Sequence, residues 1–325
     1  MAFFTGLSWA GIPIKLFSTF GYDFGKMNQS YINNLVKFLG IDSIKPLGDA
    51  GVKFGDLESR HIVDITITLG IGSIKPLSAA GAKFGNIHAL YITEIAKSLG
   101  VDSIKPLVDA GVKFEGIYES YIIDIAKSLG FDSIKHLIES GVKFGDWLSI
   151  HVADLTETFG LKSIKPLSEA GAKFCEFPAS YVVSVVKKLG LESIKPLSEA
   201  GVKFNEWYLF QAQGLVQCLG LESLKPLSEV GFEIKKLDFA AMLDIFESHG
   251  IKAIKPLSKA GAKFESMDGY AINKIVAKLG NGSKKALADV GVKFPDSTII
   301  QHDELGVNVP DEHAPELTPE YTVEL

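Results

Sequence analysis

The chain has 325 residues, is 46% hydrophobic and carries a formal charge of −6 at pH 7. That apolar content supports a continuous core and excludes a chain that is disordered throughout. Two cysteines in unrelated places, Cys175 and Cys218, exclude a disulfide-built secreted scaffold, and no run of 18 apolar residues is present to cross a membrane.

Residues 1–24 come first. Met1 to Ala10 is apolar without a basic residue ahead of it, so it reads poorly as a secretion signal. Ile14-Lys15 and Gly21 align with Ile44-Lys45 and Gly51 further on, and the segment is expected to be a capping half repeat. A 30-residue period without slippage follows over 25–294. Leu39-Gly40 recurs as Leu69-Gly70 and so on to Leu279-Gly280, and Ser43-Ile44-Lys45-Pro46-Leu47 recurs on the same spacing. A fixed period in this range marks a repeat architecture.

Each unit reads as two helices. The first is predicted from about Leu57 to Leu69, with Ile62, Ile65 and Leu69 on one buried face. Asp56, Asn86, Asp146 and Ser266 are placed to cap its amino end, and Gly70 to end it in a left-handed conformation. The second helix is predicted to begin at an N-capping Ser43, to tolerate Pro46 in its first turn, and to stop at Gly51. Phe54 is expected in the core. The expected fold is therefore an all-α superhelical solenoid of about 9.5 two-helix repeats, of undetermined hand. At about 8 to 10 Å per stacked helix pair it would run about 80 to 100 Å. Residues 295–325 hold acids but no Lys or Arg and are expected to be a disordered acidic tail.

The chemistry-bearing columns are few. Lysine fills one column throughout: Lys15, Lys45, Lys75, Lys105, Lys135, Lys165, Lys195, Lys225, Lys255 and Lys285. In the first turn of the second helix these lysines and the helix N–H groups could track a phosphate backbone. Alternatively, acids such as Asp49, Asp109, Glu139 and Glu169 one turn on could pair with them on a solvated face. A second lysine column, headed by Lys53, suits the carboxyl end of the second helix. The position before Leu-Gly varies, reading Phe38, Thr68, Ser98, Ser128, Thr158, Lys188, Cys218, Ser248 and Lys278. The three positions headed by Asn28-Gln29-Ser30 vary as well. A constant frame with changing surface positions is how repeat proteins encode recognition. His61 and His151 replace tyrosine in the column of Tyr31 and read as packing residues, and His136 replaces the second-helix proline. No zinc spacing, Gly-rich phosphate loop or nucleophile elbow is present, so neither an enzyme nor a cofactor or metal is expected.

The stretch Ile122-Ile123-Asp124-Ile125-Ala126-Lys127-Ser128-Leu129-Gly130, with Ser133-Ile134-Lys135-His136-Leu137 and Ser140-Gly141, resembles the repeat of TAL-effector-like DNA-binding proteins. It is about equally similar to mitochondrial-terminator-like helical repeats. The first resemblance covers 13–294 and implies base readout from a loop at Ser128 and its equivalents, with phosphate held by Lys135 and its equivalents. The chain departs from that pattern in its 30-residue period, its shorter second helix, and Gly130-Phe131 where paired glycines stand. The leading expectation is thus a non-enzymatic, monomeric nucleic-acid-binding array, with DNA ahead of RNA. The alternative is a scaffold for an extended protein partner, supported by the pI near 5.7 and by aromatics such as Tyr118, Tyr208, Phe210 and Phe239. Either would suit a cytoplasmic or otherwise intracellular protein, including a delivered effector.

Overall fold

The computed structural model describes residue 14 and residues 23–206, 209–234, 237 and 239–294; over 209–213 only the helical backbone is described. The half repeat expected at 1–24, including Lys15, lies outside the described residues except for Ile14, Asp23 and Phe24. The 295–325 tail, Trp207, Tyr208 and the Phe210 side chain also lie outside them.

Long and short helices alternate without a strand among the described residues. The long ones are α1 (Gln29–Leu39), α3 (Ser59–Leu69), α5 (Ala89–Leu99), α7 (Glu119–Leu129), α9 (Ser149–Phe159), α11 (Ala179–Leu189), α13 (Leu209–Leu219), α15 (Phe239–His249) and α17 (Gly269–Leu279). The short ones are α2 (Ile44–Asp49), α4 (Ile74–Ala79), α6 (Ile104–Asp109), α8 (Asp132–Glu139), α10 (Leu161–Glu169), α12 (Ile194–Glu199), α14 (Leu224–Glu229), α16 (Ile254–Lys259) and α18 (Ser283–Ala288). Each long helix packs on the next long helix, and short helices pack on short ones, giving the two layers of an α-solenoid. An eleven- or six-residue helix is too short to persist alone, so burial between repeats holds both. Ile62, Ile65 and Thr66 face that core from α3, as do Ile74 and Leu77 from α4. Phe54, Phe84, Phe114, Phe144, Phe174 and Phe204 are fully buried, which places the phenylalanine column in the core as expected.

Before every long helix except α15, whose column holds Ile234, the chain makes a 3-10 turn that begins at this phenylalanine, such as Phe54–Asp56, so α3 starts two residues later than predicted. The cap consequently falls on the column of Asn28. Asn28 accepts from Ser30 N–H at 2.9 Å and Asp268 from Ala271 N–H at 2.8 Å, while Asp56 and its equivalents lie inside the 3-10 turn.

The serine column also plays a different part from the N-cap expected of it. Ser43 has helical backbone angles, and its hydroxyl donates to the Gly40 carbonyl at 2.6 Å. The same bond recurs at Ser73, Ser103, Ser133, Ser163, Ser193, Ser223 and Ser283. The hydroxyl thereby adds a second hydrogen bond to a carbonyl that already accepts the serine's own N–H. Where Ala253 replaces it, the turn becomes a continuous 3-10 run, Gly250–Ala253, and Gly250 moves to φ 64°.

Gly70 has φ 80° and ψ −176°, an extended mirror-image conformation open essentially to glycine, rather than the left-handed helical one anticipated. Gly51, at φ 103°, closes a Schellman motif instead. Val52 N–H donates to Leu47 C=O and Gly51 N–H to Gly48 C=O, both at 3.0 Å, and Val52 and Leu47 are both buried. In α10 the preceding turn is α-helical, so Pro166 sits sixth in the helix and not in the first turn.

Polar staples link neighbouring repeats on the long-helix layer. Lys37 reaches Asp64 at 2.9 Å and Lys127 reaches Asp154 at 2.7 Å, while Asn33 Nδ2 donates to Asp64 at 2.7 Å. The Asn33 hydrogen bond, assisted by Lys37 and opposed by partial burial, holds the Asp64 carboxyl below its ordinary range. A depressed carboxyl adds stability above the ordinary carboxylate pKa and loses it as pH falls through the depressed value. Between about pH 5 and pH 2, wild type should therefore lose more stability than Asp64→Asn. Urea midpoints measured across that range test this, and parallel curves for the two proteins would refute it. Independently, Gly70→Ala is expected to destabilise by about 1–3 kcal/mol. Gly116→Ala, outside positive φ and with open space around the added methyl, should be neutral or stabilising by about 0.5 kcal/mol. Urea unfolding followed by circular dichroism checks that order.

Candidate interaction surfaces

Three surfaces carry the residues that the sequence singled out. The first is the lysine column on the short helices. Lys45 pairs with Asp49 at 2.7 Å, Lys105 with Asp109 at 3.1 Å, Lys135 with Glu139 at 3.9 Å and Lys165 with Glu169 at 3.7 Å. Lys195 and Lys225 pair likewise with Glu199 and Glu229. These lysine side chains are 79–87% exposed and their acids 56–67%, so each pair adds little to stability. Each carboxylate nevertheless sets a negative charge beside its lysine. Lys75 and Lys255 differ, with Ala79 and Lys259 one turn on.

The backbone around this column is also committed. Ser73 N–H donates to Gly70 C=O at 3.0 Å and Ile74 N–H to Ile71 C=O, so the start of α4 spends these donors within its own turn. Open grooves of about 710 and 770 Å³ run between adjacent short helices. The first is lined by Asp42, Lys45, Asp49 and Lys75, and the second by Asp132, Lys135, Glu139 and Glu169, so both offer mixed charge. In the second lysine column, Lys203 hydrogen-bonds Glu206 at 2.8 Å, which raises its pKa.

The second surface is the column before Leu-Gly. Phe38, Thr68, Ser98, Ser128, Thr158, Lys188, Cys218, Ser248 and Lys278 are all exposed, but they lie in the last turn of the long helices. They are thus helical residues and not the loop residues that the resemblance implies. Lys188 and Lys278 reach back to Glu157 and Glu247 of the preceding long helices, at 3.6 and 2.9 Å. The readout column and the lysine column therefore sit on helices of different layers.

The third surface is the rim where the long helices begin. Three consecutive helices, α5, α7 and α9, carry large apolar side chains there: Leu90 at 52% exposure, Tyr118 at 75%, Leu148 at 63% and Ile150 at 50%. Tyr118 and Leu148 occupy the N-cap position itself and make no side-chain cap. The matching Asn28 and Asp268 do cap. Between α7 and α9 an open groove of about 680 Å³ is lined by Tyr118, Glu119, Trp147, Leu148 and His151, with Glu115 and Asp146 at its edge. Its walls are braced: His151 Nδ1 pairs with Glu119 of the preceding repeat, and the Trp147 and His151 rings meet edge to face at 6.5 Å. On the α5 side His88 meets Tyr121 in the same manner at 6.3 Å. His151 thus hydrogen-bonds and packs, as expected, and His61 is buried.

Among the aromatics marked in sequence, Tyr118 is exposed on this rim, whereas Phe239 is partly buried against the core. Leu90, Leu148 and Ile150 were not singled out individually. They belong to the variable positions headed by Asn28 and Ser30, where polar and apolar residues alternate between copies, so the sequence marks the columns but not these residues.

Among the described residues, no group of three or more His, Cys, Asp or Glu could hold a metal ion, and no helix is long and apolar enough to cross a membrane. No protein-family model matches the chain, and no curated protein is significantly similar to it.

An uncapped helix start forgoes about 1 kcal/mol. Tyr118→Asn and Leu148→Asn, made to imitate Asn28, are each expected to raise stability by about that amount. Thermal unfolding of the two variants measures it.

Proposed function

We propose that the protein is a helical-repeat interaction scaffold. It docks an extended protein segment across the amino-terminal rim of α5, α7 and α9. The observation that carries this reading is the run of exposed Leu90, Tyr118, Leu148 and Ile150 on neighbouring helices, two of them at positions where a capping residue would be more stabilising. Aromatic and aliphatic anchors beside a braced groove are what protein partners bury, and Glu115 and Asp146 at the edge favour cationic flanks on the partner.

A second reading, nucleic-acid binding along Lys45 and its column, draws support from the regular spacing and high exposure of those lysines. The neighbouring carboxylates weigh against it, since they would repel the phosphates that the lysines attract.

Peptides selected by display against the full chain provide the test. Their affinity should fall at least about tenfold in Tyr118→Ala and in Leu148→Ala, with the fold intact by circular dichroism. Peptides that bind both variants as well as wild type would overturn the scaffold reading at this rim. Fluorescence anisotropy with duplex DNA and single-stranded RNA over a salt series addresses the second reading. Affinity that falls steeply with salt, and less steeply when Lys105, Lys135, Lys165 and Lys195 become Gln, would establish it. Absence of binding at low salt would eliminate it.

A further inference from the structure

Charge is distributed very unevenly along the chain. Residues 250–294 carry nine lysines against three acids, a net +6, whereas residues 1–249 are net −4. Residues 296–325, which follow immediately, carry eight acids and no Lys or Arg.

Four of these nine lysines, Lys252, Lys255, Lys259 and Lys285, are exposed on the short-helix layer. Along most of the column a short-helix lysine has an acid one turn on, as in Asp49, Glu229 and Asp289, and often another three residues before it, as in Asp42, Asp102 or Glu222; Lys75, followed by Ala79, does not. Around Lys255 both flanking positions are lysine: Lys252 stands three residues before it and Lys259 four after. Spacings of three and four bring these close together along α16 and the 3-10 turn Gly250–Ala253 that leads into it, where like charges destabilise each other. Lys252, Lys255 and Lys259 are exposed, as is Lys285 on the adjacent α18. No carboxylate among the described residues pairs with any of the four, in contrast to Lys45, Lys105 or Lys225.

We propose that this basic face on α16 and α18 is the docking site of the chain's own carboxyl-terminal segment, residues 296–325. Charge complementarity selects the occupant, because the most acidic stretch of the sequence emerges one short segment after α18. Reach is no obstacle. Neighbouring short helices lie about 8 to 10 Å apart. Residues 295–303 alone span up to about 30 Å when extended, which brings Asp303 and Glu304 to α16. Asp303-Glu304 and Asp311-Glu312 form two acidic pairs, and tail carboxylates would supply here what Glu229 supplies to Lys225 one repeat earlier. Docked, the tail screens the most cationic part of the lysine column from other polyanions. The inference stands on its own charges and does not rest on the rim reading.

The test is amine acetylation of the full-length protein, read residue by residue by mass spectrometry, with Lys75 as the internal reference for a ladder lysine that has no acid one turn on. At about 10 mM salt, Lys252, Lys255, Lys259 and Lys285 should react at least about threefold more slowly than Lys75. The difference should vanish near about 1 M salt, where the Debye length falls to about 3 Å. It should also vanish in the full-length variant Asp303→Asn, Glu304→Gln, Asp311→Asn, Glu312→Gln. Carbodiimide cross-linking should join tail carboxylates to these four lysines within the monomer. Equal acetylation rates at low salt, protection that survives neutralisation of the tail, or cross-links confined to dimers would each overturn the proposal.

Discussion

Two chain reversals per repeat, each through a glycine at positive φ, are the constraint on which the structure depends. Every positive-φ glycine among the described residues falls in one of two columns, headed by Gly40 and Gly51. The first ends the long helix in an extended conformation closed to other residues, and the serine three places on holds its carbonyl. The second closes the short helix in a Schellman motif whose apolar pair is itself part of the core. Because both turns are set locally, each unit presents a similar apolar face to its neighbours, with Phe54 and its equivalents buried in it. The copy with Ala253 shows how tightly these parts are coupled: once the serine hydroxyl is missing, the turn winds up and its glycine shifts.

Much of this architecture is legible in sequence because it is periodic. Phe54 and its equivalents, the two glycine columns and the alternation of long and short helices all follow from repetition, which averages away local ambiguity. The errors arose where one residue type can play two parts. Serine before a helix reads as an N-cap, but Ser43 already has helical angles, so its hydroxyl donates backwards and does not accept forwards. Asp56 reads as a cap, yet the 3-10 turn anchored by Phe54 consumes it and moves the cap to the column of Asn28. No composition or spacing rule separates these outcomes, because backbone angles that depend on packing decide them.

The interaction surfaces were legible in a different way. The constant phenylalanine, glycine and serine columns build the frame, and the lysine column carries neighbouring acids on most of its length. Tyr118, Leu148, Leu90 and Ile150 stand in variable columns, where sequence marks change between copies without marking exposure. Their exposure depends on where the 3-10 turn leaves the chain, which sequence alone did not locate. At this rim an asparagine in place of Tyr118 or Leu148 would improve the helix start, so the exposed apolar side chain there is kept at a cost in stability.

The lock between period and geometry governs how such a chain can change its length. Adding or deleting a few residues inside a repeat would displace a glycine from its turn or carry Phe54 and its equivalents out of the core. An addition of 30 residues, begun at any point in the unit, restores every column. Lengthening by whole-unit duplication is therefore nearly neutral for folding, whereas smaller insertions are selected against almost everywhere. Repeat number is therefore the dimension of this architecture that can change at least cost to its turns and core, and with it the length of the solenoid.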